Sequence, residues 1–194
     1  ARMRDGGHPG VGGHLERVGE REERIARHDR SLRPAVGLAH RGWLAFRRGD
    51  LFAAEGDTRT ALAADELPAP PLYRVLNAGV LVKTLVDQGE LEAAEEALEP
   101  LPSEAEIGSI PAAMLRLARG RLRVEQHRVA EGLDDFLAVG VLLTPALVTC
   151  PGYLPWRSEA ALAQLALGER ESAERLAAEE LGLARAFGAP RALG

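Results

Sequence analysis

The sequence predicts an all-α protein of about four antiparallel helix pairs, and three observations lead to this fold class. A turn pattern recurs four times at intervals of roughly 40 residues. The chain is 46% hydrophobic but only 4% aromatic, so its core must consist of leucine, alanine and valine. Leucine and alanine favour helices, and alanine lets helices approach closely. No segment alternates apolar and polar residues with β-branched enrichment, which argues against a sheet.

The repeated turns read "RRGDLFAAE", "DQGELEAAE", "EQHRVAEGL" and "ALGERESAE". Their aligned positions are separated by steps of 40, 38 and 41 residues, and these positions are Gly49, Gly89, His127 and Gly168. Glycine ends a helix in the left-handed conformation without a Cβ penalty. Histidine tolerates that conformation better than β-branched residues do. Each position is therefore expected to end the first helix of a pair.

Small residues recur at fixed distances from these turns. Five residues after each turn position stand Ala54, Ala94, Gly132 and Ala173. Seven residues before it stand Gly42, Val82, Gly120 and Ala161, of which only the valine is not small. A small residue on each helix lets two backbones approach at their crossing. The spacing therefore predicts where the two helices of each pair meet.

Proline-rich links divide the repeats into units near 35–67, 72–101, 111–143 and 155–188. Pro111 and Pro155 are expected at the first position of a helix, where the missing N–H does no harm. Trp156 follows as the predicted first anchor of the last unit. Residues 1–34 differ, because they combine a Gly-rich stretch with a highly charged one. They predict a flexible tail and a charged helix, whereas residues 35–194 predict the repeat array.

Charge and composition narrow the classes of function. A net charge of −5 argues against direct binding of nucleic acid by this chain, since phosphate binding needs a dense positive surface. The sequence has no apolar run of membrane-spanning length and no signal-peptide core, so no membrane association is expected. A single cysteine excludes an internal disulfide and fits a reducing compartment. Together these features predict a cytoplasmic protein.

The residues that could carry chemistry are better explained by ordinary structural roles. Cys150 has no histidine near it in sequence, and Ser158 lacks the GxSxG elbow of a nucleophilic serine. The histidines match no zinc-ligand spacing. The one "KT" dipeptide, at Lys83, lacks the glycines of a phosphate-binding loop. The sequence therefore predicts no enzyme, no metal and no cofactor. An α-helical enzyme would require a clustered set of titratable groups in a pocket, and a hydrogen bond between Cys150 and a histidine would support it.

A binding surface is the remaining prediction. In arrays of helix pairs the first helices line the concave side, where partners bind. The repeat offsets assign seven residues to that side: Trp43, Arg47, Lys83, Asp87, Arg121, Glu125 and Ser158. A tryptophan beside an arginine suits recognition of a protein partner or a small-molecule inducer. The alternative, in which Trp43 packs between units, stays open.

The repeat pattern resembles the tetratricopeptide family in its looser form, which implies a right-handed solenoid. Four strings carry a narrower resemblance: "RRGDLFAAEGDTRTAL", "LVDQGELEAAEEAL", "ARGRLRVEQHRVAEGLDDFLAVG" and "LPWRSEAALAQLALGERESAERLAAEELGLARAFGAPRALG". They look like the region that precedes the DNA-binding domain in large ATP-binding regulators of the LuxR family (LAL, MalT-like). The resemblance covers about residues 35–194, and the last string is the most specific.

By this resemblance the chain is a non-catalytic sensor or scaffold segment for signal transduction in transcription regulation. It would bind an inducer or partner and relay that state to ATPase and DNA-binding domains, which the sequence does not contain. The chain is accordingly interpreted as a fragment or a truncated homologue of such a regulator, with a homodimer left open. The competing interpretation is a stand-alone tetratricopeptide-like adaptor for protein–protein interaction.

Overall fold

A computed structural model describes residues 37–63, 71–99, 101, 109–143 and 153–188, and every regular element within these ranges is an α-helix. Eight helices follow one another in four pairs. They are α1 (37–48), α2 (Leu51–Ala63), α3 (Pro71–Gln88), α4 (Leu91–Glu96), α5 (Ser109–Glu125), α6 (Val129–Leu143), α7 (Trp156–Ala166) and α8 (Arg170–Phe187). The all-α prediction is thus confirmed for the described part of the chain.

All four predicted turns have the same left-handed geometry. The backbone φ is 81° at Gly49, 81° at Gly89, 63° at His127 and 84° at Gly168. Each of these residues donates its N–H to the carbonyl three positions back, and the next residue donates to the carbonyl five positions back. This paired bonding satisfies carbonyls that a helix end would leave unpaired. His127 therefore occupies the position that glycine takes in the other three turns.

The small residues lie at the helix crossings, as the spacing predicts. A Cβ placed on Gly120 would stand 3.1 Å from the carbonyl oxygen of Gly132, and one on Gly132 would stand 2.8 Å from that of Gly120. A Cβ on Gly42 would meet the Thr58 side chain at 2.8 Å. Ala54 and Ala94 are fully buried. The helices of a pair thus approach closely where these residues stand.

Successive pairs pack on one another through a regular set of neighbours. Helix α2 packs on α3, α3 and α4 pack on α5, and α5 and α6 pack on α7. One buried apolar cluster joins α3, α4 and α5, and a second joins α5, α6 and α7. Trp156, at the start of α7, packs on the second cluster and lies against Gly140 of α6. Helix α5 therefore contributes to both clusters.

Three element boundaries differ from the sequence expectation. Helix α4 has only six residues, since "EPLP" follows it and proline stops a helix before its own position. Pro155 lies at the N-cap of α7, one position before the helix, and α5 begins at Ser109, two residues before Pro111. The proposed tail and charged helix of residues 1–34 and the thiol of Cys150 lie outside the described residues. None of the helices described is both long and apolar enough to span a bilayer.

Candidate binding surface

The first helices of the pairs carry the candidate surface, which begins at two cation–π contacts around α1. The guanidinium carbon of Arg47 lies 5.4 Å from the centroid of the Trp43 ring, one helical turn away. The ammonium of Lys83, on α3, lies 5.3 Å from the centroid of the Phe46 ring. Aromatic faces attract cations at such distances. Lys83 of the second pair therefore contacts the first pair through the Phe46 ring on α1.

Arg121 on α5 extends this surface to the last pair. It lies 3.2 Å from a carboxylate oxygen of Asp87 on α3 and 3.5 Å from one of Glu159 on α7. One guanidinium thus bridges carboxylates from the preceding and following first helices. Glu125 acts electrostatically on Glu159 and belongs to the same surface. We call these residues the charged row: Arg47, Lys83, Asp87, Arg121, Glu125 and Glu159.

Burial perturbs two ionisable groups of the charged row. The pKa of Lys83 is lowered to about 8, chiefly because burial disfavours the charged ammonium and also because Arg121 and Arg47 lie near. Asp87 and Glu159 oppose that shift without reversing it. Burial raises the pKa of Glu159, although Arg121 partly offsets the effect. A half-buried cation with a lowered pKa marks a position whose charge the protein itself does not fully compensate.

An apolar cleft adjoins the charged row. It has a volume of about 360 Å³ and lies between α1, α3, α5 and the residue Tyr153 that precedes α7. Its main walls are Trp43, Tyr73, Leu76, Val80, Met114 and Tyr153. His40 and Asn77 also line it, and Asn77 is only 4% exposed. The hydroxyl of Tyr153 donates to the sulfur of Met114 at 3.6 Å. A few polar groups in a mostly apolar pocket are typical of small-molecule sites.

The cleft and the charged row share one face of α3. Leu76, Val80, Lys83 and Asp87 follow one another at steps of four, three and four, which keeps them on the same side of a helix. Trp43 connects the cleft to the charged row, since it lines the cleft and its ring makes the cation–π contact with Arg47. The surface therefore has an apolar end and a charged end.

Six of the seven residues assigned from sequence lie on this surface, and Ser158 does not. Ser158 lies beside Glu180 of α8 and lines a second, open groove between α7 and α8. Its neighbour Glu159 supplies the contact to Arg121 instead. Adjacent residues point about 100° apart on a helix, so Ser158 and Glu159 face different neighbours. Sequence reasoning also missed Phe46, Asn77 and Tyr153.

Another group of polar atoms lies between α7 and α8. Glu180 is buried, and neither of its carboxylate oxygens has a hydrogen-bond partner among the described residues. A guanidinium nitrogen of Arg157 lies 3.8 Å from a carboxylate oxygen of Glu180. The guanidinium carbon of Arg157 lies 4.4 Å from the centroid of the Trp156 ring. Burial raises the pKa of Glu180, while Arg157 and Ser158 partly offset the effect. Within the described ranges, no group of histidine, cysteine, aspartate and glutamate is arranged to hold a metal ion.

Comparisons with protein-family models, with curated proteins and with solved structures find no match to this chain. The geometry of the first helices is therefore the basis for any functional argument.

Proposed function

We propose that residues 35–194 form a tetratricopeptide-like, right-handed solenoid whose first helices bind a ligand. Three features support this architecture: the four matching left-handed turns, the small residues at the crossings, and the stacking of each pair on the next. Stacked helix pairs contact only their neighbours and present an extended inner surface. The proposal gives that surface the role of a recognition site.

The function that the geometry supports best is non-catalytic binding of an inducer or a partner on this surface. The observation that carries it is the continuity of the apolar cleft with the charged row, from Trp43 on α1 to Glu159 on α7. Arg121 joins three first helices, so a ligand that contacts it acts on three pairs at once.

We also propose that binding is relayed along the array. Pairs that contact only neighbours can change curvature by small rotations at each interface, and a ligand that prefers one curvature shifts the population toward it. By the resemblance to LuxR-family regulators, the receivers of that change are an ATPase domain and a DNA-binding domain outside these 194 residues. The protein is then a sensor segment of a transcriptional regulator.

A screen of small metabolites and short peptides by thermal shift, followed by calorimetry, tests the binding function. A ligand of the proposed surface binds the wild-type chain and Arg185→Ala, a change on α8. It loses affinity in Trp43→Ala and in Arg121→Ala. Hits that bind all these variants equally would contradict the inner surface as the site.

Small-angle X-ray scattering of the free and the bound chain tests the relay. A ligand-dependent change in the radius of gyration is expected if binding alters the curvature of the array. Tight binding with superimposable scattering curves would remove the relay and leave only the binding function.

One observation favours the alternative function of a protein–protein adaptor. The groove between α7 and α8 has a volume of about 430 Å³, and Leu162, on its wall, is 65% exposed. In the second and third pairs the corresponding side is covered by the next first helix. As an adaptor, the chain would seat one amphipathic helix of a partner protein in this groove.

Substituting Leu162→Glu separates the two functions. It places a charge in the α7–α8 groove and leaves the inner surface intact. If the chain is an adaptor, Leu162→Glu should abolish binding of the partner protein, whereas Trp43→Ala should leave that binding unchanged. The opposite pattern would support the inner surface.

A further inference from the structure

We propose that the cleft and the charged row together take a small amphipathic monocarboxylate, with its apolar tail in the cleft and its carboxylate against Lys83. The inference rests on the proposed function, because it assigns a ligand class to the same surface. Four features of the described residues support it: the lining of the cleft, the pairing of the charges, their balance, and the distance between the two ends.

The cleft suits an aliphatic or aromatic tail. Leucine, valine, methionine and aromatic side chains form most of its walls, and its volume of about 360 Å³ falls within the usual range for small-molecule pockets. Tyr153 directs its hydroxyl toward Met114, so the ring rather than the hydroxyl is available to the tail. An apolar group that enters gains by leaving water.

Lys83 is the cation best placed to receive an anion. Two carboxylates act electrostatically on Lys83, those of Asp87 and Glu159, and both form salt bridges with Arg121. Within the described ranges, no carboxylate lies within salt-bridge distance of Lys83 itself. Its recorded close contact is the Phe46 ring. An incoming carboxylate would supply the counter-charge that this ammonium lacks.

The charge balance disfavours a dianion. Arg47, Lys83 and Arg121 supply three formal positive charges, and Asp87, Glu125 and Glu159 supply three formal negative charges. A monocarboxylate needs only one ammonium in contact. A phosphate dianion would bring a second charge close to the three carboxylates, where like charges repel.

The two ends of the surface set the length of the ligand. Asn77 lines the cleft and Lys83 follows six residues later in α3. At about 1.5 Å of rise per residue, these two positions are separated by roughly 9 Å along the helix axis. An eight-carbon chain such as octanoate is of this length. The lowered pKa of Lys83 agrees with a site that awaits an anion.

Calorimetric titration of the intact chain with octanoate at pH 7 tests the inference, with octan-1-ol as a neutral probe of the same length. We expect octanoate to bind at least tenfold more tightly than octan-1-ol. In Lys83→Met the preference for octanoate should be lost, because Asp87, Glu125 and Glu159 then outnumber Arg47 and Arg121. Lys83→Arg should restore the preference for octanoate, and Arg185→Met on α8 serves as the matched control. Circular dichroism confirms that each variant is folded.

Two outcomes would overturn the inference. Either octanoate binds no better than octan-1-ol to the wild-type chain, or Lys83→Met retains the preference for octanoate. The proposed function survives either result if another ligand binds in a manner that depends on Trp43 and Arg121. If no ligand depends on those residues, the inference and the proposed function both fail.

Discussion

The indole of Trp156 lies so close to Gly140 that no side chain fits between them. A Cβ on Gly140 would stand 2.5 Å from two ring carbons of the indole. Trp156 begins α7 and Gly140 belongs to α6, so this contact fastens the last pair to the third. Trp156 is the residue that the sequence indicates as the first anchor of the last unit. Its position therefore depends on the absence of a side chain at Gly140, 16 residues earlier.

Substitution of Gly140→Ala should lower the free energy of unfolding by about 1–3 kcal/mol, because the indole must shift within a packed core. Gly182→Ala in α8 is the matched control, since a Cβ there meets nothing within 4 Å. Alanine is the better helix former, so this control should gain up to about 1 kcal/mol. Urea denaturation measures both. A Gly140→Ala chain as stable as the wild type would contradict the packing.

Substitution of Asp135→Asn should cost about 3 kcal/mol of stability. Asp135 in α6 is 1% exposed, accepts two hydrogen bonds from Arg119 and one from Arg123, and lies 3.6 Å from Arg116. Removing one partner of a buried charge network leaves the other charges uncompensated.

Asp134→Asn is the control for this network, since Asp134 is the adjacent, exposed residue. It should change stability by less than about 0.5 kcal/mol. Equal effects of the two changes in thermal denaturation would show that the network does not hold α5 to α6.

Substitution of Lys83→Met should stabilise the chain at pH 7 by about 1 kcal/mol, because it removes a partly buried ammonium with incomplete compensation. The folded pKa of about 8 lies below the ordinary lysine value, so the folded chain binds fewer protons than the unfolded chain between the two values. Wild-type stability therefore rises across that window relative to the variant, and the advantage of Lys83→Met disappears above it.

Urea denaturation from pH 7 to pH 10.5 measures this convergence. A variant that is less stable than the wild type at pH 7 would show that the cation–π contact with Phe46 outweighs the burial. Octanoate affinity in the wild-type chain should fall over the same range, as the ammonium loses its proton. Arg47, Arg121, Asp87 and Glu159 act electrostatically on the Lys83 ammonium, and Glu125 acts on Glu159.

Substitution of Glu180→Gln should stabilise the chain at pH 7 by about 1 kcal/mol, because burial disfavours the carboxylate more than Arg157, 3.8 Å away, and Ser158 favour it. Burial raises the pKa of Glu180 in the folded chain, so wild-type stability falls as pH rises from the ordinary carboxyl range through the raised pKa. The gap between variant and wild type should close on acidification to pH 4. A gap that stays constant from pH 7 to pH 4 would contradict the burial of this carboxylate.

Substitution of His127→Gly should stabilise the chain by about 0.5–1 kcal/mol, because a left-handed backbone strains every residue with a Cβ. Gly89→Ala is the reciprocal change, and a Cβ there meets nothing within 4 Å. Its expected loss of about 1 kcal/mol is therefore a measure of backbone strain alone. Opposite signs in thermal denaturation support the shared turn geometry, whereas equal signs would contradict it.

Local chemistry explains which parts of the fold the sequence could predict. The left-handed turns and the small residues at the crossings depend on residues within one pair, so their spacing in the sequence was sufficient. The charged row depends on how neighbouring pairs shift against each other. Asp87 stands two residues before its turn, Arg121 six and Glu159 nine, so contacts move about one helical turn per pair. Fixed offsets of six and two residues before the turn lead to Leu162 and Ala166 in the last pair, so they do not lead to Glu159.

The neighbour-only packing of α2 to α8 has a kinetic consequence. Each contact between these helices joins members of one pair or of adjacent pairs, so the chain need close only short loops to make them. Topologies rich in such contacts fold rapidly. Because α5 contributes to both buried clusters, folding that starts at the α5–α6 hairpin can grow in both directions along the chain.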